Sequence, residues 1–271
     1  MARSTFGVST HLYLAQRLSR DHLLDIAAHG FEAVELFAAR THVDYHNESA
    51  VADLQQWLAE AGLSLQSIHA PVALGYAGGR PSDPLSIASA DADARDRALQ
   101  ETERALHIAR RIEARTLVVH AGGNRDAARR SLEALQRTAA PLGVRIAVEV
   151  LAGDGTTAGS VVHLIEEDLE GADVGVCLDF GHAHVQGDLL DAIETASGHL
   201  VAVDLHDNRG RRDEHLVPFD GTIDWPAALT AIQKVGYDGP FTMELAARGP
   251  AKETLARARK ARERIERMLA I

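Results

Sequence analysis

The chain has 271 residues, and its 28 basic and 39 acidic side chains leave a net charge of −11, which gives no general attraction to nucleic acid or anionic membrane. Cys177 is the only cysteine, so no internal disulfide can form and a reducing compartment is expected. The opening MARSTFGVSTHLYLAQ lacks the long apolar region of a secretion signal, and no window approaches the roughly 18 consecutive apolar residues of a membrane span, so a cytoplasmic protein is expected.

In chain order, short β-branched runs alternate with amphipathic stretches. TFGVSTH is followed by SRDHLLDIAAHG, a helix capped by Ser19 or Asp21 and stopped at Gly30. FEAVELF leads into RTHVDYHNE, whose His42, Tyr45 and His46 read either as a substrate rim or as an exposed polar loop. The helix ESAVADLQQWLAEAG then ends at Gly62. LSLQSIHA is followed by the turn-rich PVALGYAGGRPSDP, a surface insertion or a substrate-covering loop. The long helical stretch DADARDRALQETERALHIARRI precedes TLVVHA, after which Gly122 and Gly123 free the backbone. VRIAVEV, VGVCLDF and LVAVDLH come next, and Trp225 in GTIDW anchors the start of a further helix by packing. PFTMEL is the eighth strand. AKETLARARKARERIERMLAI closes the chain as a helix with an apolar side of Leu255, Ile265, Met268 and Leu269 and its arginines and lysines in water.

Eight regular strand–helix units with no linker between them predict one domain over residues 1–271, folded as an α/β protein, a single (β/α)8 TIM barrel. A doubly wound open sheet is the alternative.

Strand side chains alternate between two faces. Ala147 shares a face with Glu149, Cys177 with Asp179, Ala202 and Asp204 with His206, and Thr242 with Glu244. Likewise Ser9 leads to His11, Ala33 to Glu35, Ser67 to His69 and Val118 to His120. All eight strands therefore end in an ionisable or metal-capable group on the small, polar face, while the bulky face packs against helices. Carboxylates buried together need compensation, and a divalent cation supplies it. Cys177 has no His–Asp neighbours of the kind that activate a nucleophile and reads as a small interior residue.

The motifs IHAP, VVHAGG, VEV, CLDFGHAH, HDNRGRRDEHLVPFDGTIDW and MEL, in this order, resemble the xylose-isomerase-like TIM-barrel superfamily, which includes sugar isomerases and epimerases and endonuclease IV. The resemblance implies a common metal set of Glu149, Asp179, His206 and Glu244, suited to Zn, Mn, Mg or Co. Positions similar to those of endonuclease IV add His69 and His120 beside Glu149, and His182, Asp213 and His215 as a third site, for one to three ions in all. It also implies metal-assisted isomerisation or epimerisation of a sugar or sugar derivative, with Glu149 and Glu244 exchanging protons next to a carbonyl. His182 and one arginine of Arg209, Arg211 and Arg212 (Arg211 the foremost) would contact substrate oxygens. Glu35 reads equally as a substrate contact or as an ion pair with Arg40. Two alternatives stand beside this: an endonuclease IV-like multi-zinc hydrolase acting on abasic DNA, which the acidic charge does not favour, and a non-catalytic metal-dependent sugar-binding protein. The expected partner is a small carbohydrate; an oligomer is compatible with the pattern.

Overall fold

A computed structural model of the chain describes residues 5–153 and 155–269. Each β-branched run contributes one barrel strand: β1 (Phe6–Ser9), β2 (Ala33–Phe37) and β3 (Ser64–His69), then, after a hairpin of β4 (Ala73–Ala77) and β5 (Arg80–Pro84), β6 (Thr116–Val119), β7 (Arg145–Glu149), β8 (Val174–Asp179), β9 (Leu200–Leu205) and β10 (Phe241–Met243). Their order is β1-β2-β3-β6-β7-β8-β9-β10, with β10 pairing back onto β1, and every barrel ladder is parallel. The sheet is closed, as expected, rather than open and doubly wound.

The alternation is visible in how the core divides. Ile146, Val148, Val176, Leu178, Val203, Leu205, Phe241 and Met243 belong to the large core between strands and helices. Val118, Ala147, Cys177 and Ala202 form a separate cluster inside the barrel. Full burial of a large aliphatic side chain stabilises by roughly 1.5–3 kcal/mol, so the outward set carries the packing energy. The inward set is small and leaves room for polar groups above it.

The surrounding helices are α1 (Arg20–Ala28), α2 (Glu48–Ala61), α3 (Ala92–Leu106), α4 (Arg125–Ala139), α5 (Ala158–His163), α6 (Phe180–Gln186), α7 (Leu189–Ala196), α8 (Trp225–Lys234) and α9 (Ala251–Leu269). Ser19, not Asp21, caps α1, and its backbone N–H donates to His22 Nδ1 at 3.2 Å. Gly62 ends α2 at φ +67°, where a side chain would be strained. The stretch read as one long helix after the hairpin stops at Leu106 and tightens into a 3₁₀ turn over His107–Arg110.

Three readings of loops and surfaces change. The turn-rich insertion is an ordered hairpin whose two-residue turn, Gly78–Gly79, has φ +57° and +75°, the pair of positive values that a tight β-turn matched to strand twist requires. In the loop after β2, His42 and Tyr45 are buried rather than displayed: His42 Nδ1 lies 2.7 Å from Gln16 O, and Tyr45 donates to Glu101. In α9, Leu255 and Ile265 are buried as expected, but so is Arg262, which donates to Gly30 O and lies 5.3 Å from the Phe31 ring centroid. That arginine ties α9 to the end of α1 instead of facing water. No described helix is long and apolar enough to cross a membrane.

Candidate metal and acid–base centre

The carboxyl ends of six neighbouring strands deliver His69 (β3), His120 (after β6), Glu149 (β7), Asp179 (β8), His206 (after β9) and Glu244 (after β10) to one mouth of the barrel. Asp179 also caps α6, accepting the His182 N–H at 2.7 Å, which places His182 one turn on and facing back to the mouth. Gly181 is required between them: a Cβ there would lie 1.9 Å from His206 Cε1. The loop after β9 brings in Asp213 and His215. Between them Glu214 turns the other way, buried, and accepts from the Arg209 N–H, the Arg209 guanidinium (2.8 Å) and Arg212 (3.4 Å). His215 is held at φ +46°, a left-handed backbone that costs a non-glycine residue energy.

The donors form three overlapping groups. His69 Nε2 and His120 Nε2 lie 3.0 and 2.9 Å from Glu149 Oε2. Glu149 Oε1 and Asp179 Oδ1 lie 3.1 and 3.8 Å from His182 Nδ1. His182, His206, Asp213 and His215 make the third group, with His182 Nε2 3.3 Å and His215 Nε2 2.9 Å from Asp213 Oδ2, and His206 Nε2 3.6 Å from Asp213 Oδ1. Within each group the donor atoms lie within 4.8 Å of one another, the spacing of ligands around one ion. The expected quartet is not gathered into one such group: Glu244 stands beside His215, its Oε2 3.5 Å from Nδ1.

Two features fit this mouth to a divalent cation. The Nδ1 atoms of His69, His182 and His215 lie 2.9–3.0 Å from the carbonyls of Ala70, Val150 and Glu244; an Nδ1–H donated there leaves the Nε2 lone pair to ligate, with its orientation held, which for His182 serves the group with Asp213 rather than the one with Glu149 and Asp179. In addition, Asp179 Oδ2 is buried without a hydrogen-bond partner, although buried polar atoms are rarely left so, and its other oxygen, Oδ1, lies 2.9 Å from His206 Nε2.

Electrostatics point the same way. Burial opposes a charged Glu149, but His120, His182 and His69 outweigh it and hold its carboxyl well below the usual range. Burial also opposes protonation of His69 and His215, yet the carboxylates of Glu149 for the first, and of Glu244 and Asp213 for the second, lift each imidazole to about 9. Burial pushes Glu244 up to about 8, with His215 opposing. A field that strengthens proton binding at these nitrogens favours a metal cation too.

Other expected residues are placed differently. Glu35 is fully buried one inward step below the His69 level, accepting from Ser67 Oγ at 2.9 Å with Oε1 unpartnered; it neither pairs with Arg40 nor lies on the open mouth. Arg209 and Arg212 are engaged by Glu214, while Arg211 is exposed. Cys177 is buried against Asp204, and Trp225 is buried with Nε1–H on Asp207, both as packing residues. Two groups were missed. His11 stacks on Phe37 and His215; it lies in the 3₁₀ turn Thr10–Tyr13 just after β1, and the alternation that led from Ser9 to it carried no motif to give it a role. Phe37, stacked on His69, joins Leu14, Ala39, Val72 and Tyr76 in an apolar wall that brings together parts of the chain far apart in sequence.

A closed parallel barrel with carboxylates and imidazoles clustered at its strand ends defines a class of barrel built around a metal-competent mouth. Residues 23–270 match the family described as xylose isomerase-like TIM barrel, and the chain belongs to it. An uncharacterised protein of Methanocaldococcus jannaschii is 26% identical over 257 residues, covering 88% of this chain and 83% of that one. An uncharacterised protein of Sinorhizobium fredii is 42% identical over 72 residues only, 26% of this chain and 23% of its own length. Among solved structures, a D-tagatose 3-epimerase-like protein superposes with TM-score 0.80 (23% identity; 98% and 97% of the two chains). A D-psicose 3-epimerase solved in the presence of D-fructose gives 0.77 (20%; 98% and 100%), and the IolI protein with a bound zinc atom 0.77 (17%; 97% and 98%).

Proposed function

We propose that the protein is a divalent-metal-dependent isomerase or epimerase of a sugar or sugar derivative. The observation that carries this is the order of groups around the rim. Glu149 on β7 and Glu244 after β10 bracket Asp179 and His206 on the two strands between them, and both carboxyls are buried. Glu149 and Asp179, which share a donor group with His182, would hold the cation, with His206 and Glu244 on the next two strands as the remaining members of the set that the family resemblance implies; when bound, the cation polarises a carbonyl or hydroxyl oxygen. One glutamate takes a proton from the carbon next to that carbonyl and the other returns one, as two carboxyls in unlike surroundings are suited to do. Glu149 is ringed by three histidines, whereas among the described residues Glu244 is paired with His215. His182 on α6 and the exposed Arg211 would contact substrate oxygens. The likeness to epimerases supports the choice of substrate class.

The test is a panel of ketoses and aldoses incubated in D2O with metal-loaded protein and followed by proton NMR. Solvent deuterium should enter one carbon of a substrate, and the rate should fall at least about 100-fold in Glu149→Gln and Glu244→Gln. A panel with no exchange, under conditions where metal is bound, contradicts the reading.

The full inventory of donor groups favours a second reading, an endonuclease IV-like phosphodiesterase with three metals. Abasic-DNA cleavage that is lost in Asp213→Ala and His215→Ala, with close to three metals per chain, would select it. Isomerisation that survives Asp213→Ala, with close to one metal, would select the first.

A further inference from the structure

We infer that Asp207 is the positioning residue that sets the Asp213–His215 donor pair, acting through the loop rather than by touching a ligand's metal atom. The inference rests on the multi-metal arrangement, in which Asp213 and His215 with His182 and His206 hold an ion of their own. Asp207 is fully buried, and four donors converge on its carboxylate. Oδ1 accepts from the backbone N–H of Asn208 (2.8 Å) and Ile223 (3.2 Å), and Oδ2 from the Phe219 N–H (3.0 Å) and the Trp225 indole (2.8 Å). These donors lie at both ends of the segment between β9 and α8, so one side chain closes the loop at its base. Its backbone also pairs antiparallel with Leu216, one residue beyond His215.

The loop needs such an anchor because it contains two non-glycine residues at positive φ, His215 (+46°) and Phe219 (+76°). Conformations of this kind persist only where the surroundings over-determine them. Space for the anchor is reserved as well: a Cβ on Gly221 would come within 2.2 Å of Asp207 Oδ1 and of Asn208 O. A carboxylate accepting only from the backbone and an indole binds no substrate and no metal in this arrangement; its effect passes to Asp213 and His215 through the fixed path between them.

The experiment uses chelator-stripped full-length protein titrated with Zn²⁺ alone by calorimetry, and with Co²⁺ by absorbance. Asp207→Asn preserves shape but leaves one of the two oxygens unable to accept; Gly221→Ala crowds the same carboxylate without altering it. Both should weaken the ion held by Asp213 and His215 by about 10- to 100-fold, as Asp213→Ala should. The ion at His69, His120 and Glu149 should keep its affinity, and its retention shows that the barrel is intact. Asp207→Asn should add little further loss to Asp213→Ala, as expected for residues acting through one element. Wild-type affinity in both variants, or full additivity with Asp213→Ala, overturns the role of Asp207 alone. Equal loss at both donor groups, or failure of both variants to fold, also overturns it, because the effect would then not be local to the loop. No metal binding by the wild type, or a single bound ion whose affinity Asp213→Ala leaves unchanged, overturns the reading of that pair as a metal site and this inference with it, while the latter result leaves the one-metal isomerase reading standing.

Discussion

Gly181 shows how much of the centre depends on a single atom that is not there. With the His206 ring where its Cβ would stand, Gly181→Ala must move either α6 or the ring. A cost of about 1–3 kcal/mol in stability is expected, with loss of metal affinity measured on the still-folded fraction. Unchanged metal binding would show that His206 is not held against α6. His42 gives a prediction in pH. Burial holds its pKa at about 4 against 6.5 in the unfolded chain. Between those values the unfolded chain binds a proton that the native chain does not, so this group's stabilisation is complete above about 6.5 and is lost as pH falls towards 4. His42→Asn, which can keep the bond to Gln16 O, should flatten the difference in denaturant stability between pH 7 and pH 4.5; equal slopes in the two proteins would remove His42 as the cause. At this scale the sequence displayed the ionisable strand ends clearly, because period-two alternation is a local property. It hid His42, Tyr45 and Arg262, whose polar types suggest water and whose burial depends on partners 26, 56 and 232 positions away.

At the scale of elements, strand identity was legible and element ends were less so. Eight runs marked eight strands because both faces of a parallel barrel strand are buried and select for β-branched residues. The helix after the hairpin ends early at Leu106 because the chain tightens at His107–Arg110 before β6, a choice that helical periodicity does not record. The contact between α9 and α1 is open to test. Arg262→Ala removes the donor to Gly30 O and the cation over Phe31, and should cost about 1–3 kcal/mol in chemical denaturation. A neutral result would leave the apolar residues Leu255 and Ile265 as the whole of that contact.

For the whole molecule, the donor groups lie along one rim, and an ion held by His69, His120 and Glu149 would tie together strands β3, β6 and β7. An ion present at about 1,000 times its dissociation constant should stabilise the native chain by about 4 kcal/mol. Chelation should therefore lower the melting temperature by several degrees, and added Zn²⁺ or Mn²⁺ should restore it. A melting curve indifferent to both would count against a resident metal.

What the sequence determined by itself was periodic: eight strands, the helices between them, the inward polar face and the order of chemical groups along the rim. Those follow from alternation, capping and the need to bury apolar side chains, all of which act over a few residues. Tertiary structure alone decided which donors meet. It turned Glu214 away to engage the arginines, set Glu244 beside His215, sank Glu35 below the mouth, and made Asp207 the anchor of a loop rather than a ligand. These outcomes depend on closure of the sheet and on the path of a strained loop, which bring distant residues within a few ångströms, and no short-range pattern specifies such distances.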